Sequence, residues 1–251
     1  MLLTHHSLLT IPEAAGAGTD PSTLSGLVFY ADPDDATKFN LTDVLINSFT
    51  DSIAGIVFTA ATTQRPTRVA GLNSKYGISF DGGDRLLTST RLDSFATEIS
   101  IIMVADLNDA AAVIQRLFHI YSDGTNKSQF LLTVNVDNDD YATFGSRDNT
   151  SVKIDKNSYL AGYGARIFMG TAKEADKVYT RINGNESAGT ITSGTFAGAG
   201  VDGAVIGANS TTAANPCNGE IYRIYLYNRV LTPEEKTDCE LWLKNYYSIS
   251  F

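Results

Sequence analysis

One segment constrains the fold of this chain more than any other, the run Glu98-Ile-Ser-Ile-Ile-Met-Val-Ala105. It is almost continuously apolar, and its isoleucine and valine residues favour a strand over a helix. A strand that carries apolar side chains at successive positions needs cover on both of its faces. We therefore expect this strand to lie inside a layered β structure.

Short apolar segments recur along the rest of the chain at the spacing typical of a β-sandwich. Most are bounded by Gly, Asn or Asp, which favour turns. The pair Asn183-Gly184 predicts a β-hairpin, and the sequence Asp81-Gly-Gly-Asp84 predicts a tight turn between two strands. The other expected strands are residues 26–31, 77–80, 85–88, 113–121, 130–136, 141–144, 166–170, 177–182, 204–206 and 220–227. The pattern predicts an all-β antiparallel sandwich.

The C-terminal segment carries the strongest helix signals in the sequence. Thr232 suits the N-cap, Pro233 suits the first helical position, and Glu235 lies three residues after the cap, as a capping box requires. Apolar side chains then follow at helical spacing, at Cys239, Trp242, Leu243 and Tyr246. We expect a helix over residues 233–246 that packs this stripe on the sandwich, with Trp242 in the core rather than on a sugar-stacking surface.

The first residues differ in composition from the rest of the chain. Residues 1–11 carry five leucine and isoleucine side chains, Leu2, Leu3, Leu8, Leu9 and Ile11, and no basic segment that would indicate a signal peptide. Pro12 would break a helix there, and small residues continue to Pro21. We interpret residues 1–24 as an extended arm and linker, and residues 25–251 as one β domain. The arm is either a disordered terminus or a segment that docks on a partner protein through its apolar side chains.

Charge and composition argue against several functions. The 251 residues carry a net charge of −9 and no cluster of Lys or Arg, so the chain lacks the basic surface that nucleic-acid binding requires. No apolar run reaches the roughly 18 residues of a membrane-spanning helix. Cys217 and Cys239 are expected as free, partly buried thiols, because nothing else in the sequence indicates a disulfide scaffold.

Three motifs occur in an informative order: Gly26-Leu-Val-Phe-Tyr-Ala31, then Gly77-Ile-Ser-Phe-Asp-Gly-Gly-Asp84, and last Gly219-Glu-Ile-Tyr-Arg-Ile-Tyr-Leu-Tyr-Asn-Arg-Val-Leu-Thr-Pro-Glu-Glu235. Over residues 25–249 the chain resembles the laminin-G-like, concanavalin A-like jelly-roll domains, of the type found in bacteriophage head-decoration and tail proteins. The resemblance implies a jelly-roll sandwich that is used for recognition more often than for catalysis. Similar domains occur in secreted bacterial adhesins and beside polysaccharide-degrading modules.

The sequence offers no recognisable catalytic constellation. Glycoside hydrolysis needs two carboxylates, yet the Glu-x-Asp-x-x-Glu pattern of jelly-roll glucanases is missing, and Glu220 is alone on its strand. His119 lacks the Gln two residues earlier that jelly-roll polysaccharide lyases carry, and we expect an ordinary strand histidine. We therefore predict that the protein is not an enzyme and has no catalytic residues.

Two acidic segments and one polar group are candidate binding sites. Ca²⁺ could bind at Asp137-Asn-Asp-Asp140 or at Asp81 with Asp84, although a solvated acidic turn is the alternative for each. No other cofactor is predicted. Sugar binding needs polar side chains beside an aromatic ring. Five residues from adjoining loops and strand ends could supply them: Asp123, Asn126, Asp139, Tyr141 and Arg147.

These expectations combine into one leading hypothesis. The protein would be a non-enzymatic component of a bacteriophage particle, a head decoration or a tail-associated protein. Its arm would dock on a capsid or tail protein, and the domain, as a homo-oligomer, would face outward toward cell-surface glycans. The alternatives are an extracellular bacterial carbohydrate-binding module or adhesin domain, and a jelly-roll polysaccharide hydrolase or lyase.

Overall fold

The computed structural model describes residues 17–90, 92, 98–108, 114–121, 129–135, 141–147, 152–157, 164–173, 178–188, 203–208 and 216–251. Within these residues the chain forms antiparallel strands followed by one C-terminal α-helix, which confirms the predicted all-β sandwich. Three single-turn 3₁₀-helices lie in the connections, at Pro21–Thr23, Ala36–Lys38 and Leu72–Ser74. The described ranges hold no helix that is long and apolar enough to cross a membrane.

The strands are numbered in chain order. They are β1 (Leu27–Ala31), β2 (Phe39–Thr42), β3 (Leu45–Thr50), β4 (Val57–Thr59), β5 (Thr67–Ala70), β6 (Tyr76–Asp81), β7 (Leu86–Thr88), β8 (Glu98–Leu107), β9 (Ile114–Tyr121), β10 (Gln129–Asn135), β11 (Tyr141–Arg147), β12 (Val152–Asn157), β13 (Gly164–Lys173), β14 (Val178–Ile182), β15 (Asn185–Ala188), β16 (Gly203–Ile206) and β17 (Asn218–Tyr227); helix α1 follows at Pro233–Tyr247. The strands expected from the sequence do not include β2, β3, β4, β5 and β12. Strands β2, β4 and β5 are short and half exposed, so they carry little apolar signal.

The strands form two layers. In the first sheet the order is β15-β14-β13-β8-β17, and β6 and β1 share the far edge of β17, with β5 beyond β6. In the second sheet the order is β2-β3-β4-β7-β16-β9-β10-β11-β12. One residue pair, Leu45 with Thr67, links the two sheets through β3 and β5.

Strand β8 lies at the centre of the first sheet and is buried on both faces, as its composition predicted. Ile99, Ile101 and Met103 belong to the core between the two sheets. Ile102 and Val104 point the other way, into a second apolar cluster on the outer face of the first sheet. Successive side chains of a strand alternate between its faces, so one apolar run supplies both clusters.

Helix α1 covers this outer face and begins at the predicted capping box. The Glu235 N–H donates to Thr232 Oγ1 at 3.2 Å, and the Thr232 N–H donates to the Glu235 carboxylate at 2.9 Å. Leu243 and Tyr247 enter the apolar cluster. The buried face therefore differs from the predicted stripe, since Tyr247 is fully buried and Tyr246 only partly.

Two charged side chains account for this rotation of the helix. Glu240 is buried and accepts a hydrogen bond from the Arg181 guanidinium at 2.7 Å. Lys236, also buried, pairs with Glu186. Both partners lie on the β14–β15 hairpin, so these ion pairs hold a polar side of α1 against the sheet. The apolar stripe predicted from the sequence could not reveal these ion pairs, because Arg181 and Glu186 lie on a distant segment.

Two turns show how far local signals reach. The Asn183-Gly184 turn joins β14 to β15 as predicted, and its φ angles of 46° and 85° are those that a tight hairpin turn requires. The Asp81-Gly-Gly-Asp84 turn does not join two paired strands. Strand β6 pairs in the first sheet and β7 in the second, so this turn carries the chain from one sheet to the other.

The folded part of the chain begins before the predicted boundary between linker and domain. The Thr19 N–H donates to the Asp238 carbonyl of α1 at 3.2 Å. The Tyr227 hydroxyl donates to the Pro21 carbonyl at 2.8 Å. Residues 17–24 therefore belong to the domain, where they pack against the first sheet and the helix.

Both cysteines are buried and free, in agreement with the expected free thiols. Cys217 lies in the core between the sheets, whereas Cys239 lies in the cluster between the first sheet and α1. A disulfide requires Cα atoms within about 7 Å of each other, and here a sheet stands between the two residues. Burial raises the pKa of each thiol to about 12.

Candidate functional site

The glycan site expected from the sequence lies largely outside the described residues. That holds for Asp123, Asn126 and Asp139, for the acidic segment 137–140, and for the arm residues Leu2, Leu3, Leu8, Leu9 and Ile11. Tyr141 and Arg147 begin and end β11, where they pair with Asn135 and Gln129 of β10. Extended strand separates them by about 20 Å at the usual rise per residue. This site stays a prediction.

A β-bulge in β17 creates a different candidate site. Ile221 pairs with Ala105, but Ile224 pairs with Met103, so Tyr222 and Arg223 together oppose one residue of β8. A bulge of this kind bends the strand and redirects a side chain. Here it interrupts the alternation of β17.

Arg223 lies where β17 changes its edge partner. Strand β6 pairs with β17 up to Ile221, and β1 pairs with it from Ile224 onward. The loop that follows β1 fills the space between these two partners. It brings Asp32 to Arg223, whose Nε and terminal nitrogen donate to the two carboxylate oxygens at 3.1 and 2.9 Å. Asp34 lies 3.5 Å from the same guanidinium.

Two tyrosines complete this network. The Tyr30 hydroxyl donates to Asp32 Oδ2 at 2.6 Å. Arg223 donates to the Tyr246 hydroxyl at 2.9 Å, which in turn donates to Asp34 Oδ2 at 2.8 Å. Burial, with the hydrogen bond to Asp34, raises the pKa of Tyr246 to about 12, so this phenol remains a donor at neutral pH. We call Tyr30, Asp32, Asp34, Arg223 and Tyr246 the Arg223 cluster.

A partly exposed surface of rings and polar groups lies beside the cluster. It consists of Asp34, Asn73, Lys75, Tyr76 and Trp242, and we call it the Asp34 surface. Tyr76 is 38% exposed, and its N–H donates to Asp34 Oδ1 at 2.8 Å. Trp242, expected in the core, is only partly buried and stacks on Tyr246 with ring centroids 4.7 Å apart.

Contacts of Asn73, Lys75 and Tyr76 with neighbouring residues hold this surface in place. The Asn73 side-chain amide donates to the Tyr246 carbonyl at 2.8 Å. The Lys75 ammonium lies 4.2 Å from the centre of the Tyr246 ring. The Arg68 guanidinium lies 3.7 Å from the centre of the Tyr76 ring, a distance typical of a cation–π contact. These contacts limit the rotamers of the exposed groups.

The Asp34 surface has the chemistry of a sugar site. Asp34 accepts one hydrogen bond on each oxygen, and a carboxylate offers about four acceptor positions, so capacity remains for ligand hydroxyls. Its side chain is 24% exposed. An exposed ring beside a carboxylate and an ammonium group matches the few convergent polar groups of small-molecule sites. No single sequence signal marks this surface, because three separate segments supply it.

A second arrangement on the same sheet face concerns two carboxylates. Glu220 of β17 lies directly opposite Asp106 of β8. Burial first, and then the Glu220 charge, raises the pKa of Asp106, while Arg166 opposes that rise. The Tyr222 hydroxyl donates to Glu220 and accepts from the Leu72 N–H at 2.9 Å. Like charges directly opposite each other destabilise a sheet.

Asp81 and Asp84, which the sequence offers as candidate Ca²⁺ ligands, lie in the described part of the chain. Burial, with the nearby Asp81 charge, raises the pKa of Asp84 to about 6. Among the residues that the structure describes, no three His, Cys, Asp or Glu side chains are grouped so as to hold a metal ion. His119 is a buried residue of β9, as expected for a strand histidine.

No protein-family model matches the chain, and no curated protein matches it significantly. Among solved structures it is similar to domain 4 of AbnA, a GH43 extracellular arabinanase from Geobacillus stearothermophilus, in complex with arabinotriose. The identity is 14% over 86% of this chain and 97% of that one, with a TM-score of 0.65. It is also similar to the sialidase of Trypanosoma rangeli in complex with sialic acid, at 13% identity and a TM-score of 0.61. That match covers 89% of this chain and 33% of the sialidase.

A further similar structure is the CBM40 of the Ruminococcus gnavus IT-sialidase, at 19% identity over 66% of this chain and 95% of that one, with a TM-score of 0.50. At such identities these likenesses establish the fold and nothing about the ligand. The β-sandwich expected from the resemblance to jelly-roll domains is confirmed. None of the three proteins is a bacteriophage protein, so the phage assignment stays a prediction.

Proposed function

We propose that the protein is a carbohydrate-binding domain and that the Asp34 surface is its glycan site. The observation that carries the proposal is the exposed Tyr76 ring beside a carboxylate with unused acceptor capacity. Sugars present apolar C–H faces and rings of hydroxyl groups. An aromatic face with adjacent charged acceptors and donors recognises both.

The Arg223 cluster supports this proposal because it fixes the site before a ligand arrives. Asp34 is held by Tyr246, and Tyr246 is held by Arg223 and by Trp242. A pre-organised site loses less conformational freedom on binding, so more of the contact energy appears as affinity. The two named neighbours solved with arabinotriose and with sialic acid support the use of this fold for sugars.

A glycan array with full-length protein, followed by calorimetry on the best ligand, tests the proposal. Tyr76→Ala is expected to weaken binding about tenfold, which corresponds to about 1.4 kcal/mol. Phe251→Ala is the matched control, because Phe251 is 46% exposed and lies outside the Asp34 surface. Equal affinities of the two variants, or an array without any bound glycan, would contradict the proposal.

A second candidate function is glycoside hydrolysis by Asp106 and Glu220. Residues opposite each other on antiparallel strands have Cβ atoms about 4.5–5.5 Å apart, and retaining glycosidases hold their carboxyl groups about 5–5.5 Å apart. Asp106, with its raised pKa, would be the acid, and Glu220 the nucleophile. Turnover on a polysaccharide panel that is lost in Asp106→Asn and retained in Asp84→Asn would favour this function over binding alone.

We also keep the particle assignment as a proposal, in which residues 1–16 anchor the domain to a capsid or tail protein. Copies of the domain would then display the Asp34 surface toward a glycan-coated cell. A truncated chain for this test should begin at Ala17, because residues 17–24 pack on the domain. Binding of purified capsid or tail protein by full-length protein, lost on this truncation, is the expected result; equal binding would refute the arm's role.

A further inference from the structure

Arg116 of β9 faces the outer side of the second sheet, away from helix α1. Its neighbours point inward: the Gln115 side chain accepts a hydrogen bond from the Asn218 N–H of the first sheet at 2.8 Å, and Leu117 belongs to the core between the sheets. Gln115 pairs with Val134 of β10 and Arg116 with Thr133, so Arg116 lies on the opposite face from Gln115, which is the outward face. A bulge follows, since Phe118 is the next residue that pairs, with Leu132. Tyr121 also faces outward, in a small apolar cluster separate from that core.

The Arg116 guanidinium differs from those of Arg181, Arg223 and Arg229, because none of the described carboxylates pairs with it. Its Nε is buried without a hydrogen-bond partner, and in the described part of the chain it forms no ion pair. Burial lowers the pKa of this guanidinium. Other arginines do have carboxylate partners: Glu240 for Arg181, Asp32 for Arg223 and Glu235 for Arg229. A partly buried cation without a partner is costly, so its retention points to a ligand that supplies the missing charge.

We propose that Arg116 anchors a second ligand site, on the outer face of the second sheet, which binds the carboxylate of an acidic saccharide. The planar guanidinium matches a carboxylate through two parallel hydrogen bonds. That the carboxylate belongs to a saccharide rests on the proposed function. The site itself is independent of the Asp34 surface, which lies on the opposite side of the sandwich.

The net charge of the protein further limits the classes of ligand that could bind at Arg116. A net charge of −9 repels polyanions at long range, which disfavours nucleic acid or polyphosphate at this position. One carboxylate close to the guanidinium is attracted over a short distance, where apolar surroundings weaken the screening by water. Tyr121, Val205 and Ala208 form a small apolar cluster on the same face of the second sheet.

Full-length protein labelled with ¹⁵N-arginine gives a direct test, because a buried Nε–H exchanges slowly with water. The resonance of Arg116 is identified by its loss in Arg116→Lys. Galacturonic acid and galactose are the matched ligands, since they differ only in a carboxylate in place of a hydroxymethyl group. We expect galacturonate to shift the Arg116 Nε–H signal downfield and galactose to leave it unchanged. Binding should fall at least tenfold in Arg116→Met and remain in Arg65→Met.

Four results would overturn the inference. The first is a titration with galacturonate that leaves the Arg116 Nε–H signal unmoved. An equal shift with the α-amide of N-acetylglutamate would mean that the site reads a peptide carboxylate instead of a saccharide. A lowered melting temperature of Arg116→Met would assign Arg116 a partner within the fold. If sugar binding is lost in Tyr76→Ala and retained in Arg116→Met, only this inference fails. If it is lost in Arg116→Met and retained in Tyr76→Ala, only the assignment of the Asp34 surface as a glycan site fails.

Discussion

Replacing Arg223 by Met tests whether the Arg223 cluster holds the first sheet together where β17 changes its edge partner. The guanidinium is only 7% exposed and pairs with Asp32, whose side chain is 15% exposed. Removing one partner of a buried ion pair costs about 3–5 kcal/mol, because the other charge stays buried without compensation. Water reaches Asp32 and Asp34 in part, so we expect a loss near the lower limit, about 3 kcal/mol.

The double variant Asp32→Asn with Arg223→Met separates the ion pair from the packing. With the pair removed from both sides, no uncompensated charge remains, and most of the stability should return. In a protein of this size, each kcal/mol shifts the melting temperature by about 2–4 °C. Arg223→Met should therefore melt about 6–12 °C lower than the unmodified protein, and the double variant much closer to it.

Urea unfolding followed by tyrosine fluorescence and by circular dichroism measures both variants. Arg65→Met is the control, because among the described residues Arg65 donates to the Thr62 carbonyl and to Asn47 Oδ1 and pairs with no carboxylate. It should cost about 1 kcal/mol or less. A loss for Arg223→Met no larger than that of the control, or a double variant as unstable as the sum of its single changes, would refute the reasoning.

Three further predictions concern other parts of the molecule. Because the folded state raises the pKa of Asp84 from 3.8 to about 6, it binds this proton more tightly than the unfolded chain does, and stability should fall as pH rises through that window. Asp84→Asn should remove the fall and stabilise the protein above pH 6 by on the order of 1 kcal/mol after solvent screening, and urea titrations on either side of that pH that show no difference would contradict it. A Cβ at Gly71 would lie 2.1 Å from the Tyr222 hydroxyl, so Gly71→Ala should cost about 1–3 kcal/mol in thermal unfolding, whereas Gly83→Ala, where the nearest atom is 3.4 Å away, should stay within about 0.5 kcal/mol. Burial and a pKa of about 12 should keep both cysteines unreactive toward iodoacetamide in the folded protein, with labelling by mass spectrometry only after unfolding; rapid labelling of native protein would disprove the buried positions.

Several elements followed from local sequence alone. The apolar β-branched run became the central strand β8, the Asn183-Gly184 pair became a hairpin turn, and Thr232 with Glu235 became a capping box. Each of these signals lies within a few neighbouring residues. The interactions that decide such an element are made by the backbone and side chains of that segment, so the sequence contains them directly.

The candidate sites were decided only by the tertiary structure. Asp32 and Arg223 are 191 positions apart, and a bulge in β17 together with a change of strand partner brings them together. Glu220, alone on its strand in the sequence, meets Asp106 through the register between two strands. That register is fixed by how apolar side chains from distant segments fill the core between the sheets, because a slip of one residue would turn every side chain to the opposite face.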